Sequence, residues 1–156
     1  MKARFGTFLA IGLALAEGAT ELCIVAGESY RLDHTIGAIT ALGHASLAGC
    51  TSLEARWGCA LLRVLHGPRA WAFDLDADVT FSLLALHGEC VGVTLAGARW
   101  PLSKAVIAPG SSLGVSNVSA AREDDDDETP PESTIRLSIE RGVLTMIFPD
   151  YFGGSL

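Results

Sequence analysis

The chain has 156 residues, 49% of them hydrophobic, which suits one domain of ordinary size or two small ones with a real core. Lys and Arg number 11 against 18 Asp and Glu, and the net charge of −7 offers no basic stripe to track a nucleic-acid backbone, so nucleic acid is set aside as a partner. Cys23, Cys50, Cys59 and Cys90 lack both a C-x-x-C pair and a histidine at zinc-finger spacing, which argues against a structural metal, and no segment approaches the length of a membrane span.

The first apolar run, Phe5 to Ala16, follows Lys2 and Arg4. As an amphipathic helix over 7–18 it gathers Phe8, Leu9, Leu13 and Ala16 on one apolar face and stops at Gly18. The same run, ending in Ala14-Leu15-Ala16, has the form of a signal peptide, so export with disulfides stands as the alternative to a cytoplasmic location. Glu21 to Ala26 has the length and β-branched content of a buried strand, with Cys23 as a small buried hydrophobe.

A polar turn follows, Gly27-Glu-Ser-Tyr-Arg-Leu-Asp-His34. It opens a helix predicted over 33–46, with Asp33 at the N-cap and Ile36, Ile39 and Leu42 at three-residue spacing. Backbone N–H groups and the positive end of a helix dipole suit phosphate there, and Arg31 adds a full charge. Taken alone, a capped helix with a solvated arginine accounts for the same residues. This helix-strand-helix fragment is the unit of a layered α/β sheet, and its lone strand must pair with one from elsewhere or be the remnant of a larger domain.

Residues 47–70 stay open: Leu53 to Val64 allows helical spacing, yet Leu61 to Leu65 equally makes a strand closed by His66-Gly67-Pro68. From Trp71 onward come short β-like runs: Trp71–Leu75, Val79–Leu86, Val91–Leu95, Lys104–Ala108, Ser112–Ser116, Thr134–Glu140 and Val143–Phe148. Their spacing predicts an antiparallel sandwich or barrel. Thr134 to Glu140 alternates strictly, and Arg141-Gly142 predicts a tight turn pairing it with Val143–Phe148 as a hairpin. The acidic run Glu123 to Glu128, with Pro130-Pro131 behind it, is expected to be a disordered loop within 120–133 rather than a metal site. The fold class is therefore α/β plus all-β: a partial layered α/β nucleotide-binding region over 1–65, then an antiparallel β-sandwich over 66–156.

With both halves in view, the chain resembles the thiamine pyrophosphokinase family. Arg31-Leu-Asp-His-Thr35 after the strand is similar to that family's Gly-Gly-Arg-Leu-Asp-His-Thr signature. The ordered series Phe81–Leu86, Val91–Thr94, Gly97-Ala-Arg-Trp-Pro-Leu102, Gly110-Ser-Ser-Leu-Gly-Val-Ser-Asn117 and Gly142-Val-Leu144 is similar to its thiamine-binding β-sandwich. Ordered motifs are far more specific than one short match. The resemblance implies a transferase that moves pyrophosphate from ATP to thiamine with Mg²⁺, acting as a homodimer; from the charge balance and segment lengths, neither nucleic acid nor membrane is expected as a partner. Each active site would form where one subunit's α/β region meets the other's sandwich.

Carried over, Arg31 and Asp33 would face the phosphates and Asp33 the Mg²⁺, while Ser116 and Asn117 would hydrogen-bond thiamine across the dimer; His34, with no second group spaced to orient it as a base, is expected among the substrate-binding residues as a polar support for the turn. The residue types fit these roles: guanidinium forks onto phosphate, carboxylate suits hard Mg²⁺, and an amide matches an aminopyrimidine edge. Such transfer needs positioning and charge neutralisation rather than a nucleophilic side chain. Ser29-Tyr30 departs from the signature's Gly-Gly, and Leu144 stands where some members carry an aromatic residue that stacks on thiamine. Family members also carry further strands and metal-binding acids before the position of Phe8. The alternatives are a truncated or inactive thiamine-binding homologue and an exported β-sandwich binding module.

Overall fold

A computed structural model of the chain describes residues 6–26, 31–120 and 132–152. The Gly27–Tyr30 part of the turn and the acidic run at 123–128 lie outside them. The strand at β1 (Glu21–Ala26) finds its partner in β2 (Ser52–Trp57), parallel and in register from Glu21 opposite Ser52 to Ala26 opposite Trp57. The strand thus pairs with one from elsewhere in the chain, inside the segment the sequence left open. Between them run α2 (Leu32–Ala41) and a 3-10 turn at Ala45–Leu47, the long crossover that parallel strands require. In front lies α1 (Gly6–Ala16), and behind follows β3 (Ala60–His66), antiparallel to β2.

The remaining strands are β4 (Arg69–Asp76), β5 (Thr80–Leu84), β6 (Cys90–Ala96), β7 (Leu102–Ile107), β8 (Asn117–Val118), β9 (Glu132–Ile139) and β10 (Val143–Phe148). They complete a six-stranded sheet in the order β1-β2-β3-β10-β5-β8 and build a second, four-stranded sheet in the order β4-β9-β6-β7. Phe81, Leu83, Leu95, Leu137, Leu144 and Phe148 form the core of the sandwich. Ile11, Leu42, Leu53, Ala55, Leu62 and Val64 form another core, where the helices cover the other face of the large sheet. β3 feeds both, Leu61 and Leu65 facing one core and Leu62 and Val64 the other. A partial α/β layer followed by an antiparallel sandwich is what the sequence predicted.

Four local expectations are overturned. In α1, Ile11 is the buried residue, while Phe8, Leu9 and Leu13 are exposed; the helix is apolar nearly all round, so no polar stripe marks its outer face. Cys23 is exposed on β1 rather than buried, because nothing among the described residues covers that side of the strand. Ser112–Ser116 is a turn that leads into the two-residue β8. The predicted hairpin does not form: β9 pairs with β4 and β6, and β10 pairs with β3 and β5, in the opposite sheet. Arg141-Gly142 is a corner between sheets, since the N–H groups of Glu140 and Arg141 both turn to Val91 O at 3.1 Å.

Candidate functional site

The entrance to α2 carries the first set of predicted site residues. Arg31, in extended conformation, occupies the N-cap position without a side-chain cap, so Asp33 lies inside the first turn and does not cap the helix as expected. Its carboxylate is taken by Arg31 instead, Nη2 donating to Oδ2 at 2.7 Å and Nε to Oδ1 at 3.2 Å. An acid in the first turn still complements the helix dipole. The hydrogen bond from Arg31 holds the Asp33 carboxyl below the usual carboxylate range and raises the guanidinium in return. His34 is exposed beside them, its N–H donating to Arg31 O at 3.1 Å. Both Asp33 oxygens face Arg31, and no group of three or more His, Cys, Asp or Glu able to hold a metal is gathered among the described residues.

The second set lies on β8 and the turn before it, and its geometry explains the Gly-x-Ser-Asn pattern position by position. Gly114 O accepts from Leu83 N at 2.8 Å, and a Cβ at 114 would come within 2.6 Å of Leu83 O, so only glycine fits. Ser116 takes a left-handed φ of 56°, donates its N–H to Ser82 Oγ at 3.0 Å, and is exposed. Asn117 is 3% exposed. Its Oδ1 accepts from Trp100 N at 3.2 Å and from Val118 N at 2.9 Å, and its Nδ2 donates to Trp100 O at 2.7 Å. One N–H of the amide is left for another partner, while the rest of it fixes the backbone of Trp100.

Trp100 stands 54% exposed at that fixed position, with the Arg99 guanidinium 5.8 Å from its ring centroid. It belongs to the Gly97–Leu102 motif, yet sequence reasoning did not single it out; an aromatic next to proline in a predicted loop was the available signal. Leu144 is fully buried in the sandwich core and presents nothing to a ligand.

The structure does not bring the two sets together within one chain. The helix bearing Arg31 and Asp33 is entered from β1, at one edge of the large sheet, and β8 is its other edge. Five strand spacings separate those edges, roughly 24 Å.

No curated protein matches the sequence. Residues 73–125 match the family model described as "Thiamin pyrophosphokinase, vitamin B1 binding domain". The fold is similar to that of thiamine pyrophosphokinase from Bacillus subtilis, with a TM-score of 0.72 at 22% identity over 89% of this chain and 59% of that one. Thiamin pyrophosphokinase from Geobacillus thermodenitrificans gives a TM-score of 0.70 at 25% identity over 94% of this chain and 62% of that one. The thiamin pyrophosphokinase from Candida albicans is more distant, with a TM-score of 0.61 at 11% identity over 89% of this chain and 50% of that one. The chain thus spans about three fifths of the length of the two bacterial structures. The family resemblance read from the motifs holds, resting on the family match in the β-rich half and on the shared fold.

Proposed function

We propose that a protein with this vitamin B1 binding domain binds thiamine on β8 and transfers pyrophosphate to it from ATP at a site completed by two copies of the chain. The observation that carries the reading is the placement of Arg31 and Asp33 at one edge of the sheet and Ser116 and Asn117 at the other. A second protomer bridges that gap by setting its own β8 against the first one's helix entrance. Ser116 and the remaining Asn117 N–H then meet the aminopyrimidine, and Arg31 leaves Asp33 to fork onto the ATP phosphates. In the transfer, the thiamine hydroxyl oxygen bonds to the β-phosphorus of ATP as that phosphorus loses its bond to the oxygen bridging to the α-phosphate; AMP departs and the hydroxyl proton passes to solvent. Arg31 neutralises charge on the moving group, which is most of what such a reaction asks of a protein.

Incubation with ATP, Mg²⁺ and thiamine should yield thiamine diphosphate by mass spectrometry. Arg31→Ala and Ser116→Ala should each be inactive alone. Mixed and re-equilibrated, they should recover about a quarter of wild-type activity, because half of the dimers then carry one intact site of two. No product from the wild-type chain would overturn the transfer reading. Binding of thiamine without product would favour the inactive homologue.

A further inference from the structure

Little apolar surface holds α2 to the sheet. Its buried residues are the small Ala38 and Ala41, with Ile39 partly buried beside them and Leu42 buried at the C-cap. The C-terminal end of the helix therefore leans on polar neighbours. His66 Nε2, on β3, donates to Leu42 O at 2.9 Å, and the ring of His87, in the turn between β5 and β6, lies where a Cβ on Gly43 would project. The amides of Leu42, Gly43 and His44 close this end on Ile39 O, Thr40 O and Ala41 O at 3.2, 3.2 and 3.1 Å.

The two histidines differ in what a second ring proton would meet. His66 already donates from Nε2 to a carbonyl, so that bond survives in either charge state. His87 is half-buried; its Nε2 is buried and finds no hydrogen-bond partner among the described residues, and the Nδ1 side of the ring is pressed on Gly43. A neutral ring keeps its proton on Nδ1 and leaves Nε2 bare, whereas an imidazolium carries an N–H on both, one of them buried without an acceptor. Burial, and after it the neighbouring His66, lower the pKa of His87. The other titratable groups on these elements are engaged elsewhere. His44 Nδ1 meets Ser46 Oγ at 2.9 Å, Glu89 pairs with Arg141 at 3.6 Å and Arg63 with Glu54 at 2.8 Å, while Asp33 and His34 lie at the far end of α2. Exposed residues flank His87, Leu86 before it and Gly88 after it, so rotation of the side chain carries the ring into water. We infer that His87 is a pH-operated latch on α2: neutral, it holds the end of the helix against the sheet, and protonated, it swings into water and lets Leu42, Gly43 and His44 open. The helix so released is the one whose entrance carries Arg31 and Asp33. The latch does not depend on which ligand those residues bind.

The test is backbone amide hydrogen exchange of the full chain, followed by NMR between about pH 7.5 and pH 5, with the His87 ring titration recorded in the same samples. Each rate is divided by that of an unstructured peptide at the same pH. In the wild type the protection of the Leu42, Gly43 and His44 amides should fall about tenfold with pH, along the titration curve of His87. His87→Phe fills the same space with a ring that takes no proton, and its protection should stay constant. His66→Gln still offers an N–H to Leu42 O, and it should respond as the wild type does. Constant protection in the wild type would overturn the latch, and so would a fall that does not follow the His87 curve. The same fall in His87→Phe, or a response that disappears in His66→Gln, would overturn it too. Should His87→Phe not fold, the match between the two wild-type curves and the behaviour of His66→Gln decide the matter.

Discussion

The His87 imidazole fills the space that a side chain on Gly43 would need. Gly43 follows Leu42, the C-cap of α2, and there the Leu42 carbonyl accepts from His66 Nε2 at 2.9 Å. The C-terminal end of the helix whose entrance carries Arg31 and Asp33 is therefore docked onto the sheet by two histidines. Gly43→Ala should lower stability by about 1–3 kcal/mol, the usual cost of overpacking. Most of that loss should vanish in a His87→Ala background, where the ring that collides is gone. Urea unfolding of the two single variants and the double variant measures the coupling; additive losses would refute the contact.

Burial lowers the pKa of His87 from its ordinary 6.5, and the neighbouring His66 lowers it further. The folded protein thus binds this proton less readily than the unfolded chain. The stabilising contribution is fully present above about pH 6.5 and is lost as pH falls through the lower folded value. The urea midpoint should fall between about pH 7 and pH 5, and His87→Gln should flatten that part of the profile. A wild-type profile as flat as the variant's would refute it.

Ser116 and Asn117 should separate when substituted. Asn117→Ala removes three hydrogen bonds from a buried position and leaves the Trp100 backbone unpartnered, so a stability loss of about 2–4 kcal/mol should accompany any loss of thiamine affinity. Ser116 is exposed, and Ser116→Ala keeps the backbone bond to Ser82, so stability should change by less than about 0.5 kcal/mol while thiamine binding falls. Thermal unfolding beside calorimetric titration distinguishes the two effects.

The parts of the fold that the sequence made legible are those with one wet face. β9 alternates and is recognisable from Thr134 to Ile139. β3 was ambiguous for a physical reason: helices cover one of its faces and the second sheet lies over the other, so Ala60-Leu-Leu-Arg-Val-Leu-His66 has no alternation to read. The Arg141-Gly142 corner misleads because glycine at a φ of 107° serves a change of sheet as well as a hairpin.

In the candidate site, the motif residues were legible and their division of labour was not. Asn117 looks like a ligand-binding amide in the sequence, but its burial and its bonds to Trp100 become visible only when the two loops are set side by side.

Among the described residues, β1 has a strand on one side only, and Cys23 is exposed on it. The other thiols are held back: burial pushes up the pKa of Cys50 and Cys90, and the half-buried Cys59 is bonded to Pro149 O. A thiol-reactive dye will therefore mark β1 first. Attached there, it makes the open rim of the sheet its own gauge, changing colour or brightness when another strand or subunit comes to rest against it.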